Sequence, residues 1–561
     1  MNTMFKTALP LAVAGFASQA LASPPGSDFG RYIDFNWGDC PEVFQSADNK
    51  NQCSLAEVPA NWNDPAGQKI DVLVSKHPAN SGKAKGQLWL LQGGPGGSGA
   101  VFPSLYDSLL KQFAEDYDLY VLEHRGVGWS TSIICPQVPA DSYKEFTTIC
   151  HDTLYDEWGE NLYNFNTTNA AKDLDYVIGK SKAINWYPSY VYGVSYGTLW
   201  AQRFSQVAPT GAQAVILDSV VPPTGFGVDL WDENSNGIFD KVAEYCDSDP
   251  FCQSKLGNNT AQLVKDTVAD FYSGQHCPEV KLTKDQLQEL GMTFIQRSQE
   301  EMLMPIYHRL ARCNADDVTA LNNVQKFFFG GYDGFMASRF EDAKPSFSDA
   351  VFNVIAFNEI SGARKSTAEK IAYCDTAVTC SSTERHLNTE ADYKVWGDKY
   401  VDPYIYKDMF HYMPTLAING DLDPQTPHFH AERIKGAFSN INQRYVEFPF
   451  TAHAAAFVTP AKTTTGNTCG VDVMFSFVNR LWDQPDTSCI DKLVGMNFDL
   501  PDFYSQIIFG TTGDFDEYDS PTVDLTSFQV EALSTTDNLK FEKLVKQVSA
   551  SLHFVGKPMM H

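Results

Sequence analysis

Short apolar runs alternate with amphipathic stretches along the chain from Lys69 onward. Strands are predicted at residues 70–74, 88–91, 118–122, 189–192 and 214–217. Helices are predicted at 168–178, where Ala171 and Leu174 recur at helical spacing, and at 196–207. This alternation of buried strands and helices predicts an α/β fold with a mostly parallel sheet and helices on both faces.

The pattern changes after Pro222-Pro223. Residues 225–395 show helical periodicity and few β-branched runs, which indicates a mainly helical insertion, and strand character returns at 414–418 and 444–448. The predicted organisation is a first core part at 23–224, a lid at 225–395, a second core part at 396–465 and a C-terminal extension at 466–561. The extension contains predicted helices near 471–481 and 538–552 and an acidic, turn-rich stretch at 513–519.

The first residues predict export. Lys6 precedes an apolar run at 7–16, and Ala20-Leu21-Ala22 precedes Ser23, the arrangement of a cleaved signal peptide over residues 1–22. The run is shorter than the roughly 20 apolar residues of a membrane span, and the later sequence contains neither a comparable span nor a lipidation signal. We therefore expect a protein without a membrane anchor, located extracellularly, in a periplasm or in a lumen, depending on the organism.

Composition narrows the function classes. The 42 basic and 69 acidic side chains give a formal net charge of −27, which argues against nucleic acid or anionic lipid as a partner. Hydrophobic residues make up 43% of the chain and charged residues 20%, values typical of a globular protein rather than of a disordered acidic chain.

The cysteine count supports the same compartment. Twelve cysteines in an exported chain indicate disulfides, and neighbours along the sequence suggest six pairs: Cys40 with Cys53, Cys135 with Cys150, Cys246 with Cys252, Cys277 with Cys313, Cys374 with Cys380, and Cys469 with Cys489. Twelve cysteines permit on the order of ten thousand pairings, so this connectivity is a proposal. CxxC spacing, typical of zinc sites, is absent from the sequence, and we predict no metal. Asn166 and Asn258 lie in glycosylation sequons.

The segment from Gly193 to Gly197 reads Gly-Val-Ser-Tyr-Gly and lies between a predicted strand and a predicted helix. In this setting a GxSxG serine stands on a tight turn with its hydroxyl exposed, and the small flanking residues relieve the crowding. An ordinary glycine-rich turn is the alternative. The strand and helix on either side favour Ser195 as a nucleophile.

A serine nucleophile needs a histidine base that is oriented by a carboxylate. In α/β sheets with this serine turn, the order along the chain is serine, acid, histidine. Asp423 follows the predicted strand at 414–418, and His453 follows the strand at 444–448. Asp421 competes with Asp423 for the role of the acid.

A glycine-rich segment, Gly93 to Gly99, follows the strand at 88–91. It contains a GxGxxG pattern, but Pro95 spoils the turn into a helix and no matching acidic strand end follows about 20 residues later, so a dinucleotide site is disfavoured and no cofactor is predicted. The backbone N–H groups of Gly93, Gly94 and Tyr196 instead form a candidate oxyanion hole.

Together these segments resemble the α/β-hydrolase serine exopeptidases of peptidase family S33, which include proline iminopeptidases and secreted tripeptidyl aminopeptidases. The likeness rests on the loop at 93–98 (GGPGGS), the segment at 125–130 (RGVGWS), the serine turn, Leu217-Asp218 and the GxxDxxTP pattern at 420–427. It implies an α/β-hydrolase fold with a helical lid, Ser195 as nucleophile, Asp423 as orienting acid and His453 as general base.

The chain departs from the family pattern beside the glycine loop and beside the histidine. Gln92 stands where iminopeptidases have His, which favours the tripeptidyl branch, and Ala452 and Ala454 stand where family members often have Gly. The resemblance also implies peptides with a free N-terminus as substrates and acidic lid residues that bind the α-amino group. Glu359 is the first candidate for that role, and the pair Glu300-Glu301 is the second.

Three functions remain to be weighed at the level of sequence. The first is an exported serine aminopeptidase of tripeptidyl or prolyl type that acts through an acyl-enzyme on Ser195. The second is a carboxylesterase or lipase on the same scaffold, which predicts a lid rimmed with apolar residues. The third is a hydrolase-like binding protein, which is disfavoured because such proteins characteristically lose a triad residue, and the predicted serine, acid and histidine are all present.

Overall fold

The structure is a computed structural model that describes residues 35–515 except 137–141, 185–186, 297, 330–345, 363, 382, 408–411, 461–464, 501–504, 507, 512 and 514. The predicted signal peptide and the predicted helix at 538–552 lie outside the described residues. So does part of the acidic stretch predicted at 513–519.

A single nine-stranded sheet organises the described chain. Its strands are β1 (Gly38–Asp39), β2 (Gln52–Pro59), β3 (Lys69–His77), β4 (Gln87–Leu91), β5 (Asp118–Leu122), β6 (Ser189–Val194), β7 (Ala214–Asp218), β8 (Thr415–Gly420) and β9 (Gln443–Phe448). The order across the sheet is β1-β2-β3-β5-β4-β6-β7-β8-β9. In this order, the first four strands (β1, β2, β3 and β5) pair antiparallel, and all pairs from β5 through β4 to β9 are parallel. The prediction of a mostly parallel sheet is confirmed.

Helices connect and cover the strands. They are α1 (Lys111–Asp116), α2 (Tyr143–Trp158), α3 (Thr167–Ile184), α4 (Tyr196–Val207), α5 (Trp231–Ser248), α6 (Pro250–Leu256), α7 (Thr260–Tyr272), α8 (Lys284–Gln296), α9 (Leu303–Arg312), α10 (Ala315–Phe329), α11 (Asp349–Glu359), α12 (Thr367–Cys374), α13 (Glu384–Leu387), α14 (Thr389–Trp396), α15 (His428–Ala431), α16 (Ala455–Val458) and α17 (Cys469–Asn479). Short 3-10 helices lie at Glu42–Phe44, Gly99–Leu105, Gly159–Asn164, Val228–Leu230, Glu300–Met302, Glu432–Ala437 and Ile490–Lys492.

The core has one apolar layer on each face of the sheet. Side chains along a strand alternate between faces, so Trp89 and Leu91 of β4 join one layer whereas Leu88 and Leu90 join the other. Helices α3, α4 and α11 pack in the first layer, and α1 and α17 pack in the second. The sheet is therefore buried on both sides, which explains why its central strands are almost wholly apolar.

The predicted lid at 225–395 divides between two cores. Its α5–α10 helices form a third apolar cluster with residues such as Phe239 and Leu310. Helix α11 instead buries Val351 and Ile355 against the sheet layer that holds α3 and α4. A sequence pattern reports that a helix has an apolar face but not which surface covers it, so the unit predicted as a lid includes a helix of the sheet core.

The predicted C-terminal extension is likewise shared between cores. Helix α17 covers one face of the sheet, while Phe509 and Phe515 pack into the α5–α10 cluster. Among the described residues, no helix combines the length and the apolar character needed to cross a membrane.

The structure links the twelve cysteines in the same six neighbouring pairs that the sequence suggested. The two sequons differ in their surroundings. Asn258 is exposed, whereas Asn166 is buried and its side-chain amide donates to the carbonyl of Tyr163 at 2.9 Å. A glycan on Asn166 is incompatible with that burial.

Candidate active site

Ser195 lies on the turn that joins β6 to α4. Its φ of 58° and ψ of −129° place it in a strained region that a serine elbow requires. The flanking glycines are sterically necessary, because a Cβ on Gly193 would lie 2.1 Å from the carbonyl oxygen of Gly197, and a Cβ on Gly197 would lie 2.5 Å from that of Leu91. The serine therefore sits at the carboxyl end of a central parallel strand, where α/β sheets collect their functional side chains.

His453 and Asp423 are hydrogen-bonded. Nδ1 of His453 lies 2.9 Å from both carboxylate oxygens of Asp423, and both residues are buried. Burial alone would raise the pKa of Asp423, but His453 and the N–H and hydroxyl donors of Thr426 hold it below its ordinary value. Asp423 is thus an ionised carboxylate that fixes the imidazole, as the acid of a serine triad must be. Asp421 instead accepts a hydrogen bond from the Tyr245 hydroxyl.

The backbone next to His453 adopts a conformation that glycine prefers. Ala454 has a φ of 65° and a ψ of 53°, in the left-handed region, and Phe450 has a φ of 56°. The glycine that the resemblance places here is consistent with this geometry, and the chain achieves it with alanine.

The glycine-rich loop packs directly on the serine turn. A Cβ on Gly93 would lie 2.6 Å from the Cβ of Ser195 and 3.1 Å from its Oγ, so only glycine fits at this position. The predicted oxyanion donors require a correction, however. The N–H of Gly93 donates to the side-chain oxygen of Gln92 at 2.8 Å and is therefore occupied in this conformation.

The other two candidate donors remain. Tyr196 opens helix α4, so no preceding helical turn supplies an acceptor for its N–H, and the N–H of Gly94 makes no hydrogen bond to a described residue. The side chain of Tyr196 is anchored by His124 and Thr167, each 3.1 Å from its hydroxyl. Gly94 and Tyr196 thus stay available as the N–H donors of an oxyanion hole.

Glu123 is a site-supporting residue that sequence reasoning missed. This fully buried carboxylate accepts from the Ser98 hydroxyl and from the Gly99 N–H, both at 2.7 Å, and so ties the glycine-rich loop to the end of β5. A buried carboxylate with two short donors is a strong anchor. Its only sequence signal is an acidic residue that directly ends an apolar strand.

Arg125, the first residue of the family-like segment at 125–130, has a structural role. Its guanidinium donates to both oxygens of Asp173 at 2.6 Å and to the carbonyls of Pro59, Ala60 and Asn164. All of its donor groups are used inside the protein, so this arginine fixes the position of β2 and α3 and is not a substrate contact.

Glu359, the first candidate for binding a substrate amine, is engaged elsewhere. Its carboxylate accepts from the N–H of Thr167 at 3.0 Å, from the Tyr400 hydroxyl at 2.8 Å and from the Arg203 guanidinium at 3.1 Å. The buried arginine neutralises the charge, and both carboxylate oxygens already accept hydrogen bonds. The prediction that Glu359 binds the substrate amine is therefore not supported by its surroundings.

Glu300 has the opposite surroundings. It is 3% exposed, its Oε1 has no hydrogen-bond partner among the described residues, and Glu301 is its neighbour in the same 3-10 helix. Burial, Glu301 and Asp421 raise the pKa of Glu300 well above its ordinary value. Asp421, two residues before Asp423, likewise has a buried oxygen, Oδ1, that bonds to nothing in the described part of the chain. A bound cation would relieve this concentration of acidic groups.

The described residues include one group of potential metal ligands, Asp232 with Cys374 and Cys380. The two sulfurs are joined in a disulfide, so neither is available as a thiolate ligand.

Asp218 is a second buried acid near the triad. Burial raises its pKa to about 7, although Tyr192, the Ala456 N–H and His453 act in the opposite direction. Between pH 4 and 7 the folded protein therefore holds a proton that the unfolded chain has released, and stability falls as pH rises. This group is expected to lower the unfolding free energy by about 2 to 3 kcal/mol between pH 5 and pH 8.

The Asp218→Asn variant tests this expectation. Because asparagine does not titrate, the difference in unfolding free energy between variant and wild type should shift in favour of the variant by that amount from pH 5 to pH 8. Denaturant titrations of both proteins at the two pH values measure it, and a constant difference would contradict the assignment.

Comparison with known proteins agrees with this geometry. Residues 88–254 match a family described as the alpha/beta hydrolase fold. The tripeptidyl aminopeptidase of Streptomyces coelicolor is 28% identical over 214 residues, which cover 34% of this chain and 38% of that protein. The serine protease Hip1 of Mycobacterium tuberculosis is 28% identical over 243 residues, which cover 38% of this chain and 44% of that protein. The match thus spans less than half the length of these relatives.

Solved structures include similar chains at low sequence identity. A thermophilic esterase from Thermogutta terrifontis is 9% identical with a TM-score of 0.30, covering 77% of this chain and 100% of that one. An epoxide hydrolase from Aspergillus niger is 11% identical with a TM-score of 0.29, covering 77% and 80%. The strand order, the serine turn and the family match establish that this chain has the α/β-hydrolase fold.

Proposed function

We propose that this protein is an exported serine aminopeptidase that hydrolyses a peptide bond near a free N-terminus, of tripeptidyl or prolyl type. The observation that carries the proposal is the hydrogen-bonded pair of Asp423 and His453, together with the serine turn that follows strand β6 of the same sheet. The named activities of the tripeptidyl aminopeptidase and Hip1 relatives support a peptidase. Six disulfides support an oxidising compartment.

The proposed reaction proceeds through an acyl-enzyme. His453 takes the proton of the Ser195 hydroxyl as its oxygen attacks the carbonyl carbon, and Asp423 stabilises the imidazolium that forms. The N–H groups of Gly94 and Tyr196 stabilise the oxyanion of the tetrahedral intermediate. His453 then donates the proton to the leaving amine, and water releases the N-terminal fragment by the reverse sequence.

Glu300 is the proposed receptor for the α-amino group of the substrate. Its buried Oε1 has no hydrogen-bond partner among the described residues, and Glu301 and Asp421 add negative charge around it, so an ammonium group bound there would be stabilised. An exopeptidase needs such a charge at a fixed distance from the scissile bond, because that distance determines how many residues are released. Glu359 no longer qualifies, since Arg203 already neutralises it.

The decisive experiment compares three p-nitroanilide substrates: Ala-Ala-Pro, its N-acetylated form and Pro. We expect kcat/KM for the free Ala-Ala-Pro substrate to exceed that for the acetylated form by about 100-fold, because acetylation removes the charge that the buried carboxylates bind. Hydrolysis of the Pro substrate in preference to Ala-Ala-Pro would assign the prolyl type instead.

Two results would contradict the proposal. Equal cleavage of the acetylated and free substrates would exclude recognition of an N-terminal amine. Rapid hydrolysis of p-nitrophenyl esters without cleavage of any anilide would instead identify an esterase on the same scaffold.

A further inference from the structure

Asp218 and Ser219 occupy the junction between the two halves of the candidate triad. Asp218 is the last residue of strand β7, and Ser219 follows it directly. Strand β7 lies between β6, which is followed by Ser195, and β8, whose following loop carries Asp423. The backbone N–H of Ser195 donates to the carbonyl of Asp218 at 2.9 Å. The end of β7 is thus bonded directly to the nucleophile.

The same two residues hold the histidine loop. The N–H of Ala454 donates to the Ser219 hydroxyl oxygen at 2.8 Å, and the N–H of Ala456 donates to Oδ2 of Asp218 at 3.0 Å. These donors follow His453 by one and three residues. The Ser219 hydroxyl in turn lies 3.4 Å from Oδ1 of Asp218, so it can accept from the loop while donating to the carboxyl group.

Further contacts keep this junction in place. Asp218 and Ser219 are fully buried, and the Tyr192 hydroxyl from β6 donates to Oδ2 of Asp218 at 2.7 Å. Ser219 has a φ of 60°, which an L-residue adopts at a cost and which glycine would adopt more readily. Glycine would adopt this backbone with less strain but would have no hydroxyl to accept from the Ala454 N–H.

We propose that Asp218 and Ser219 are positioning residues that set the placement of His453 relative to Ser195. They act through the backbone around the reacting residues. The carbonyl of Asp218 bonds to the serine turn, and the side chains of Asp218 and Ser219 bond to the histidine loop. The inference rests on the proposed serine-hydrolase function. It adds that the Ser219 hydroxyl, by accepting from the Ala454 N–H, holds the left-handed backbone that follows His453.

The Ser219→Gly variant separates positioning from folding. It removes the hydroxyl that accepts from the Ala454 N–H, while the backbone at residue 219 becomes less strained. We expect kcat for the Ala-Ala-Pro anilide to fall by about 10- to 100-fold with KM within about twofold, because small displacements of a catalytic group have effects of this size. The melting temperature should change little, because relief of the strained backbone at residue 219 offsets the loss of the acceptor for the Ala454 N–H.

A fluorophosphonate probe gives a readout that does not depend on peptide specificity. Its reaction forms a bond between Ser195 Oγ and phosphorus, expels fluoride and passes the serine proton to His453. The labelling rate should fall with kcat in Ser219→Gly. Thr147→Ala serves as the matched control, because Thr147 is a buried hydroxyl that accepts from Trp396 at 2.9 Å, distant in the chain from both loops. Its labelling rate should equal that of the wild type even if its melting temperature falls.

The outcomes are distinguishable. A wild-type labelling rate in Ser219→Gly would overturn the positioning role. Slower labelling with an unchanged melting temperature would support it, even if no anilide is hydrolysed. If the wild type reacts with the probe at Ser195 but hydrolyses no anilide, the result counts against the peptidase proposal and leaves the positioning role open to the labelling test.

Discussion

Replacing Ser195 with alanine is expected to lower kcat/KM for the Ala-Ala-Pro anilide by about 10⁵-fold, a loss typical of serine enzymes deprived of their nucleophile. The variant has no oxygen to form the acyl-enzyme, so only the residual effect of substrate binding and the oxyanion donors remains. The fold should be unaffected, because the Ser195 N–H bond to the carbonyl of Asp218 does not involve the side chain.

Steady-state hydrolysis tests the expected loss of kcat/KM, and thermal unfolding of the same preparation tests whether the fold is unaffected. Ser205→Ala is the matched control. Ser205 is a buried serine on α4 whose hydroxyl donates to the carbonyl of Ala201 at 3.1 Å, and its loss should leave kcat/KM within about twofold. Activity of Ser195→Ala within tenfold of the wild type would refute acyl transfer through this residue.

Neutralising Glu300 is expected to abolish the preference for a free N-terminus. In Glu300→Gln the shape of the side chain is kept, but it can no longer ionise when a substrate ammonium group binds beside it, so kcat/KM for the free Ala-Ala-Pro anilide should fall by about 100-fold, equivalent to about 3 kcal/mol. Hydrolysis of the N-acetylated substrate and of simple esters should change little, because neither presents an ammonium group.

The ratio of free to acetylated kcat/KM is the quantity to report, since it cancels any general loss of active protein. Glu359→Gln provides the contrast. Removing that charge leaves the buried Arg203 guanidinium with only Asp402, 3.8 Å away, as a counter-charge, and should destabilise the fold by about 3 kcal/mol without altering the ratio in the protein that remains folded. A ratio that stays high in Glu300→Gln but collapses in Glu359→Gln would reverse the assignment of the two residues.

Most central strands were predictable because burial on both faces leaves an unmistakable apolar run. Strand β5 and helix α4 begin and end in the structure where the pattern predicts. Strand β2 and helix α2 were not anticipated. Strand β2 mixes buried and exposed positions without a regular alternation, and α2 has only three buried residues over its length, so neither pattern stands out from a loop.

The candidate triad followed from chain order, since each of its residues stands just after an apolar strand. The sequence could not distinguish Asp423 from Asp421, because both acids lie on the same loop. The structure distinguishes them by their hydrogen-bond partners: the carboxylate of Asp423 bonds to His453, and that of Asp421 bonds to Tyr245. The same limit applied to the acids of the insertion. Glu300 and Glu359 are both buried, and only their spatial neighbours reveal that Arg203 neutralises one while the other has a free oxygen.

The sequence by itself determined the α/β fold class and the position of the serine turn, because these depend on periodicity and on local turn chemistry. Proximity along the chain suggested the cysteine pairing, and the structure decided it. Tertiary structure alone decided which surface each helix of the insertion covers, which backbone amides stay free around Ser195 and which buried carboxylates lack a counter-charge. Those properties arise from contacts between segments hundreds of residues apart, such as Asp218 with Ala456, and no local pattern encodes them.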